Sequence, residues 1–103
     1  MELEKFLEIS NLLEYYKNLL SDKQKEYLID HFEEDFSLSE IAKNNGVSRQ
    51  AVHDNIKRGV AILYEYENKL GFYKKEREIY DELIKLKKDF KIEKLDKIID
   101  KMF

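Results

Sequence analysis

Residues that interrupt helices are nearly absent from this sequence. Its 103 residues include no proline and only three glycines, Gly46, Gly59 and Gly71. Sandwiches and barrels need many tight turns, which glycine and proline usually supply. Leu, Ile, Lys and Glu are the most frequent residues, a composition that favours helices. The sequence therefore predicts an all-α fold with a small number of well-marked helix breaks.

Three serines mark predicted helix starts. Ser21 with Gln24, and Ser37 with Glu40, have the spacing of a capping box, in which two side chains satisfy free backbone N–H groups. Ser48 is predicted to cap the next helix in the same way, through its hydroxyl. The apolar periodicity and these caps predict helices over residues 3–20, 22–33, 38–45 and 49–70.

Two glycines mark predicted helix ends. Gly46 and Gly71 can adopt the left-handed conformation that follows many helices. Beyond Gly71 two apolar seams differ in phase, so a break is predicted over residues 89–91. The seams are Ile79, Leu83, Leu86 and Phe90, then Ile92, Leu95, Ile99 and Met102. We predict a helix-turn-helix domain over 1–71 and a C-terminal helical extension over 72–103, packed on the core or at a dimer interface.

The segment from residue 38 to 58 has the pattern of a helix-turn-helix motif. Such a motif needs a small residue where its helices cross, a glycine turn and an apolar residue after the turn. Ala42, Gly46 and Val47 occur at these offsets, with Val47 predicted to plug the core. The pattern is strong for the fold and weaker for the function, because this motif is also a stable scaffold. Apolar residues predicted to close the core are Ile41, Val52 and Ile56.

One face of the helix after Ser48 is predicted to meet nucleic acid. If Val52 faces the core, steps of about 100° per residue place a polar set outward, and such positions enter the major groove in this motif. Asp54 lies on that face and is predicted to pair with Arg58 one turn later. The outward residues are Arg49, Gln50, His53, Asp54 and Lys57.

The chemistry of these side chains suits a nucleic acid. Arginine and lysine can pair with guanine edges and glutamine with adenine. Lys43, Lys57 and Arg58 are placed for phosphates, which set register rather than sequence preference. The predicted nucleic-acid-binding residues are Lys43, Ser48, Arg49, Gln50, His53, Lys57 and Arg58.

Charge is unevenly distributed along the chain. Residues 1–40 contain four lysines and eleven acids, a net charge of −7. Residues 41–75 contain seven basic and three acidic residues, a net of +4, and residues 76–103 have eight of each. The basic third contains the predicted motif, so the overall charge of −3 does not exclude a polyanionic partner.

The residues that carry this motif resemble those of a known family. SDKQ at 21–24, SLSEIA at 37–42 and GVSRQAVHDNIKR at 46–58 resemble region 4 of bacterial sigma factors, and more closely the YlxM-like helix-turn-helix proteins. Weaker similarity covers most of 1–70 and fades past Gly71. The resemblance implies a sigma-region-4-like fold and a regulatory role linked to the signal recognition particle, whose GTPase or receptor genes typically neighbour those of this family.

Other kinds of function find little support in the sequence. There is no cysteine and there are two histidines, His31 and His53, so no metal-ligand spacing exists. No catalytic constellation or phosphate loop is present, and we predict neither enzyme activity nor a cofactor. No signal peptide or long apolar run is visible, so we predict a cytoplasmic protein without membrane insertion. Tyrosines that could stack on bases, but at helical spacing favour core or interface positions, are Tyr15, Tyr16, Tyr64 and Tyr66.

Two functions remain open from the sequence. The first is regulation by binding DNA or the signal recognition particle RNA, as the resemblance implies. The second is a protein–protein adaptor that contacts the particle's GTPase through the acidic N-terminal third without binding DNA. The apolar surface of the first helix and the C-terminal seams also predicts a homodimer, which would present two recognition helices.

Overall fold

The computed structural model describes residues 2–103; Met1, with which the predicted first domain begins, lies outside the described residues. Within this range the chain forms six α-helices and one 3₁₀ turn and contains no strand, which confirms the all-α prediction. It divides into two compact units, an N-terminal unit that ends at Leu70 and a hairpin unit from Gly71 to Phe103. The helices are α1 Leu3–Tyr16, α2 Asp22–Phe32, α3 Leu38–Asn45, α4 Arg49–Leu70, α5 Phe72–Lys88 and α6 Ile92–Met102.

Both predicted capping boxes are present. The Gln24 N–H donates to Ser21 Oγ at 3.3 Å, and the Ser21 N–H donates back to Gln24 Oε1 at 3.4 Å. At α3, the Glu40 N–H donates to Ser37 Oγ at 3.1 Å, and the Ser37 N–H donates to Glu40 Oε1 at 3.0 Å. These bonds satisfy backbone donors that an uncapped helix start would expose to water. They fix where α2 and α3 begin.

The core of the N-terminal unit lies where α1, α2 and α4 pack together, with α3 against α2 and α4. α1 ends at Tyr16 and gives way to a 3₁₀ turn at Lys17–Leu19. This tighter turn shifts the helical phase, so Leu20 is buried while Leu19 is 51% exposed. The helix predicted over residues 3–20 therefore ends four residues early, at Tyr16. Buried apolar residues of this unit include Ile9, Leu12, Leu13, Tyr16, Tyr27, Leu28, Phe32, Ile41, Val52 and Leu63.

A close approach of α2 and α4 depends on Gly59. This glycine is buried in the middle of α4, opposite the fully buried Leu28. A Cβ added at Gly59 would lie 2.8 Å from Leu28 Cδ1, closer than two carbon atoms can pack. The missing side chain therefore lets the backbone of α4 pass directly over Leu28. The sequence pattern gave no sign of this role, since Gly59 stands in an otherwise helical segment.

The hairpin unit consists of α5 and α6, which pack against each other. The helices separate at Asp89, whose φ of −142° and ψ of 82° are non-helical, and this confirms the predicted break. Leu86 and Ile98 are the buried apolar residues of this unit. Sequence phase predicted Ile99 and Met102 on the packed seam, but both are about half exposed. Within one chain Ile98 fills the interface between α5 and α6 instead.

Candidate nucleic-acid interface

The turn between α3 and α4 is closed by backbone hydrogen bonds. Gly46 has φ 65° and ψ 32°, the left-handed conformation predicted for it. Its N–H donates to the Lys43 carbonyl at 3.4 Å, and the Val47 N–H donates to the Ala42 carbonyl at 3.1 Å. This pair of bonds is a Schellman motif, which stops a helix and redirects the chain.

Val47 does not plug the core as predicted, since its side chain is 41% exposed. Its backbone N–H closes the turn, and this geometry leaves the side chain at the surface. Ile41, Ala42 and Val52 hold the space between α3 and α4 instead, because all three are buried.

Ser48 starts α4 and so sets its direction. Its Oγ accepts from the Ala51 N–H at 3.1 Å, and its carbonyl accepts from the Val52 N–H at 3.2 Å, which confirms the predicted cap. Val52 and Ile56, one turn apart, are buried. These two anchors fix the rotation of α4, so the opposite side of its first half faces away from the core.

Four cationic side chains of the motif are exposed to solvent. Lys43 on α3 and Arg49, Lys57 and Arg58 on α4 are all exposed, and we call these four residues the basic face. Within residues 2–103, no carboxylate lies within ion-pair distance of any of them, whereas several other lysines of the chain are paired. None of the four is therefore held in a close ion pair, although Arg58 interacts electrostatically with Asp54 over a longer distance.

A carboxylate on the same face is occupied by its own neighbours. Asp54 Oδ1 accepts from Gln50 Nε2 at 2.9 Å and lies 3.3 Å from His53 Nδ1. The hydrogen bond from His53, then that from Gln50, lowers the pKa of Asp54 below its ordinary value. Gln50 and His53 thus lie on the exposed surface as predicted. Their contacts with Asp54 must break before either side chain can hydrogen-bond to a base.

Arg58 does not pair with Asp54 as predicted. Its Nη2 donates to Asn55 Oδ1 at 3.1 Å, three residues earlier on the helix. Asn55 is a neutral acceptor, so it orients the guanidinium without cancelling its charge. This role of Asn55 was not predicted, although its spacing of three residues from Arg58 was a usable signal.

The second half of α4 packs against the core. Tyr16 of α1 donates its hydroxyl to Glu67 Oε1 at 2.6 Å, and its ring stacks on Tyr66 at 6.1 Å between centroids. Burial and a hydrogen bond to Glu8 raise the pKa of Tyr64 to about 12. These contacts hold Tyr64 and Tyr66 of α4 against α1, where Tyr16 lies. The three tyrosines are therefore engaged between the helices rather than offered to bases.

Neither metal binding nor membrane insertion finds support in residues 2–103. No group of three His, Asp or Glu side chains in this range is arranged to hold a metal ion. His31 Nδ1 lies 2.8 Å from the Phe36 carbonyl, and its ring packs edge-on to Phe32, so it braces the loop between α2 and α3. None of the described helices combines the length and apolar content needed to cross a membrane.

Comparison with known proteins finds relatives along nearly the whole chain. Residues 3–102 match the family described as "UPF0122: Putative helix-turn-helix protein, YlxM / p13 like". A UPF0122 protein of Fusobacterium nucleatum is 65% identical over 102 residues, or 99% of each chain. One of Bacillus velezensis is 48% identical over 87 residues, covering 84% of this chain and 79% of the relative. One of Streptococcus pneumoniae is 44% identical over 101 residues, covering 93% and 92%.

Proposed function

The chain belongs to the YlxM/p13-like family of helix-turn-helix proteins, as its resemblance predicted, and on this premise we propose that it is a regulatory protein that binds nucleic acid. The contact element is the first half of α4, Arg49 to Arg58. These ten residues span roughly 14 Å along the helix axis, and a helix about 10–12 Å in diameter fits a major groove about 12 Å wide.

The observation that carries this proposal is the basic face. Lys43, Arg49, Lys57 and Arg58 are exposed, and none of them has a carboxylate within ion-pair distance in residues 2–103. The N-terminal unit as a whole has more acidic than basic residues, with nine basic and fourteen acidic residues up to Leu70. A local cationic surface on an acidic unit favours a polyanion in one orientation and opposes indiscriminate binding.

The side chains divide into two proposed roles. Arg49 and Gln50, in the first turn of α4, reach base edges, and His53 lies one turn further along the same side. Lys43, Lys57 and Arg58 contact phosphates and fix the register. Ser48 contributes through its position at the helix start, where its Oγ is already the cap of α4.

The biological setting of this proposal rests on the family resemblance. We propose a role in the signal recognition particle pathway, with DNA or the particle RNA as the ligand. A structured RNA would be recognised by its shape and phosphates, because its major groove is too narrow for a helix. The basic face suits either ligand, and binding measurements with both ligands distinguish them.

The test is binding of duplex DNA and of the particle RNA by the full chain at several salt concentrations. We expect Arg49→Ala with Lys57→Ala to weaken binding at least about tenfold and to reduce the salt slope by about one, because only Lys57 of the two is assigned to a phosphate. The matched control is Lys5→Ala with Lys69→Ala, which removes the same charge from exposed positions on α1 and the last turn of α4. Equal loss in both variants, or binding by neither the wild type nor the variants, would contradict the proposal.

A second candidate is favoured by the acidity of the same unit. Glu33, Glu34 and Asp35 are exposed at the end of α2 and offer a surface for a basic protein, such as the GTPase of the particle. If this adaptor role is correct, Glu34→Gln with Asp35→Asn weakens GTPase binding. Arg49→Ala with Lys57→Ala leaves that binding unchanged, which separates the two candidates.

We also propose that the chain functions as a homodimer. The hairpin unit leaves nine large apolar residues exposed, among them Tyr80, Leu83, Phe90 and Ile92. Pairing of two hairpins would remove this surface from water and would supply two copies of α4 to a two-fold-symmetric site. Sedimentation of wild type against Leu83→Glu tests the pairing, and a monomeric wild type would refute it.

A further inference from the structure

A cavity of about 280 Å³ lies between α5 and α6 of the hairpin unit, outside the helix-turn-helix motif. Glu82 and Lys85 of α5 line one side. The other side comes from α6, where a spacing of three and four residues places the lining side chains on one face. The α6 residues are Lys94, Lys97, Ile98 and Lys101. The cavity is at the small end of ligand sites, so a compact molecule fits it better than a peptide or a duplex.

The charge of this cavity is strongly positive. Four lysines face a single lining carboxylate, Glu82. Lys101 is paired with Glu82, and Lys94 lies 3.0 Å from Asp89 Oδ2. Lys85 and Lys97 have no carboxylate within 4 Å in the described part of the chain. Two ammonium groups, one on each helix, are therefore available to a dianion.

Two further features restrict the ligand. Ile98 is 4% exposed and, with the aliphatic stems of the lysines, gives the cavity an apolar floor. Glu82 Oε2 is buried and accepts no hydrogen bond from residues 2–103. A buried acceptor without a donor is unfavourable, so an occupant is favoured if it donates an N–H or O–H to this oxygen once the Glu82 side chain turns toward the cavity. Inorganic phosphate meets the charge requirement and carries an O–H, but it has no apolar part to cover Ile98.

From these observations we infer that the hairpin cavity is a binding site for a small organic phosphomonoester that carries a hydrogen-bond donor. Such a group has a charge near −2 at neutral pH and three strong acceptor oxygens, which suits Lys85 and Lys97. The organic part rests on Ile98, and its donor meets Glu82 Oε2. A free nucleoside monophosphate and the 5′-phosphate end of an RNA share this chemistry. The site is independent of the proposed role of α4.

The test is a titration of the isotope-labelled full chain with AMP, followed through the backbone amide signals. We expect saturable shifts confined to residues 82–101, with adenosine, which lacks the phosphate, causing none. Lys85→Gln with Lys97→Gln should weaken AMP binding at least about tenfold, because two charge-assisted hydrogen bonds are lost. Glutamine retains helix propensity, so the variant keeps its fold.

The matched control is Lys87→Gln with Lys88→Gln, which removes the same charge from exposed residues of α5 outside the cavity. Less than a twofold change is expected there. A 5′-phosphorylated and a 5′-hydroxyl oligoribonucleotide, added to the Arg49→Ala, Lys57→Ala background, distinguish an RNA end from a free nucleotide. No saturable shift with either phosphomonoester, equal shifts with adenosine, or equal loss in the control variant would overturn the inference.

Discussion

The two units of this chain are built from helices of similar amphipathic pattern but bury very different amounts of apolar surface. Of the fifteen buried apolar residues among residues 2–103, thirteen lie in the N-terminal unit and two, Leu86 and Ile98, in the hairpin unit. Of the sixteen exposed large apolar residues in the same range, the shorter hairpin unit holds nine. Two helices can shield only one seam between them, whereas three or more enclose a core.

The two units also differ in net charge. The N-terminal unit has nine basic and fourteen acidic residues, a net of −5, and the hairpin unit has ten and eight, a net of +2. The first unit is stabilised by its own packing and displays one cationic surface. The second combines exposed apolar residues with a cationic cavity, so both of its features suit a ligand or a partner.

The largest expected effect comes from separating the units. A fragment of residues 1–72 should keep a cooperative thermal transition, because it contains thirteen of the fifteen buried apolar residues. A peptide of residues 71–103 should lose most of its helical circular dichroism at low concentration, since short helices with little packing are marginal in water. A cooperative transition of that peptide would show that the hairpin is stable alone and would remove the contrast.

A single core substitution sharpens the same comparison. Leu28→Ala should reduce the free energy of unfolding of the N-terminal unit by about 2–5 kcal/mol, because Leu28 is fully buried between α2 and α4. Leu86→Ala should change that free energy by less than about 1 kcal/mol while loosening the hairpin. Urea unfolding combined with hydrogen exchange of α2 and α5 amides measures both. Equal effects on both sets of amides would mean that the units unfold together.

The glycine at the α2–α4 crossing should behave unlike an ordinary helical glycine. Gly59→Ala gains up to about 1 kcal/mol of helix propensity, but its Cβ meets Leu28, so we expect a net loss of about 1–3 kcal/mol. In the double variant with Leu28→Val, part of the loss should be recovered. Ala61→Gly, at an exposed position of the same helix, measures propensity alone. A Gly59→Ala variant more stable than wild type in urea would show that Leu28 can move aside.

The smallest effect concerns the acidity of the N-terminal unit. Burial, then repulsion from Glu26 and Glu34, raises the pKa of Asp30 above its ordinary value of 3.8. The charged form is thus disfavoured by folding, a penalty that is absent below the ordinary pKa and grows as pH rises through the raised one. Asp30→Asn should therefore stabilise the unit by a few tenths of a kcal/mol, roughly the size of a partly screened surface interaction, at neutral pH. The gain should vanish as the pH falls below about 4, and a gain independent of pH would refute this origin.

Local signals made most helix boundaries predictable. Ser21, Ser37 and Ser48 act on backbone groups within three residues, and Gly46 and Gly71 are left-handed whatever packs against them. Such features depend on neighbours in sequence, so the sequence is sufficient to place them. The outward exposure of Arg49 and Lys57 followed in the same way, once Val52 was assigned to the core.

Some failures are local, and others depend on geometry between distant segments. Leu19 is exposed because a 3₁₀ turn replaces the last turn of α1, and Ile98 rather than Ile99 is buried between α5 and α6. Gly59 matters only because Leu28 lies opposite it, and Asp54 is engaged by Gln50 and His53 rather than by Arg58. Helical periodicity predicts a face, but it does not predict the partner or the exact angle at which that face meets it.

The continuity of α4 has one more consequence. Three residues of the basic face lie in its first half, while its second half packs against α1. A single continuous helix therefore joins the proposed contact surface to the core. Association with a polyanion would therefore require no folding step, and little conformational entropy would be lost by the backbone when contact is made. Its heat-capacity change would reflect only the area that is covered, unlike that of a segment that orders on contact.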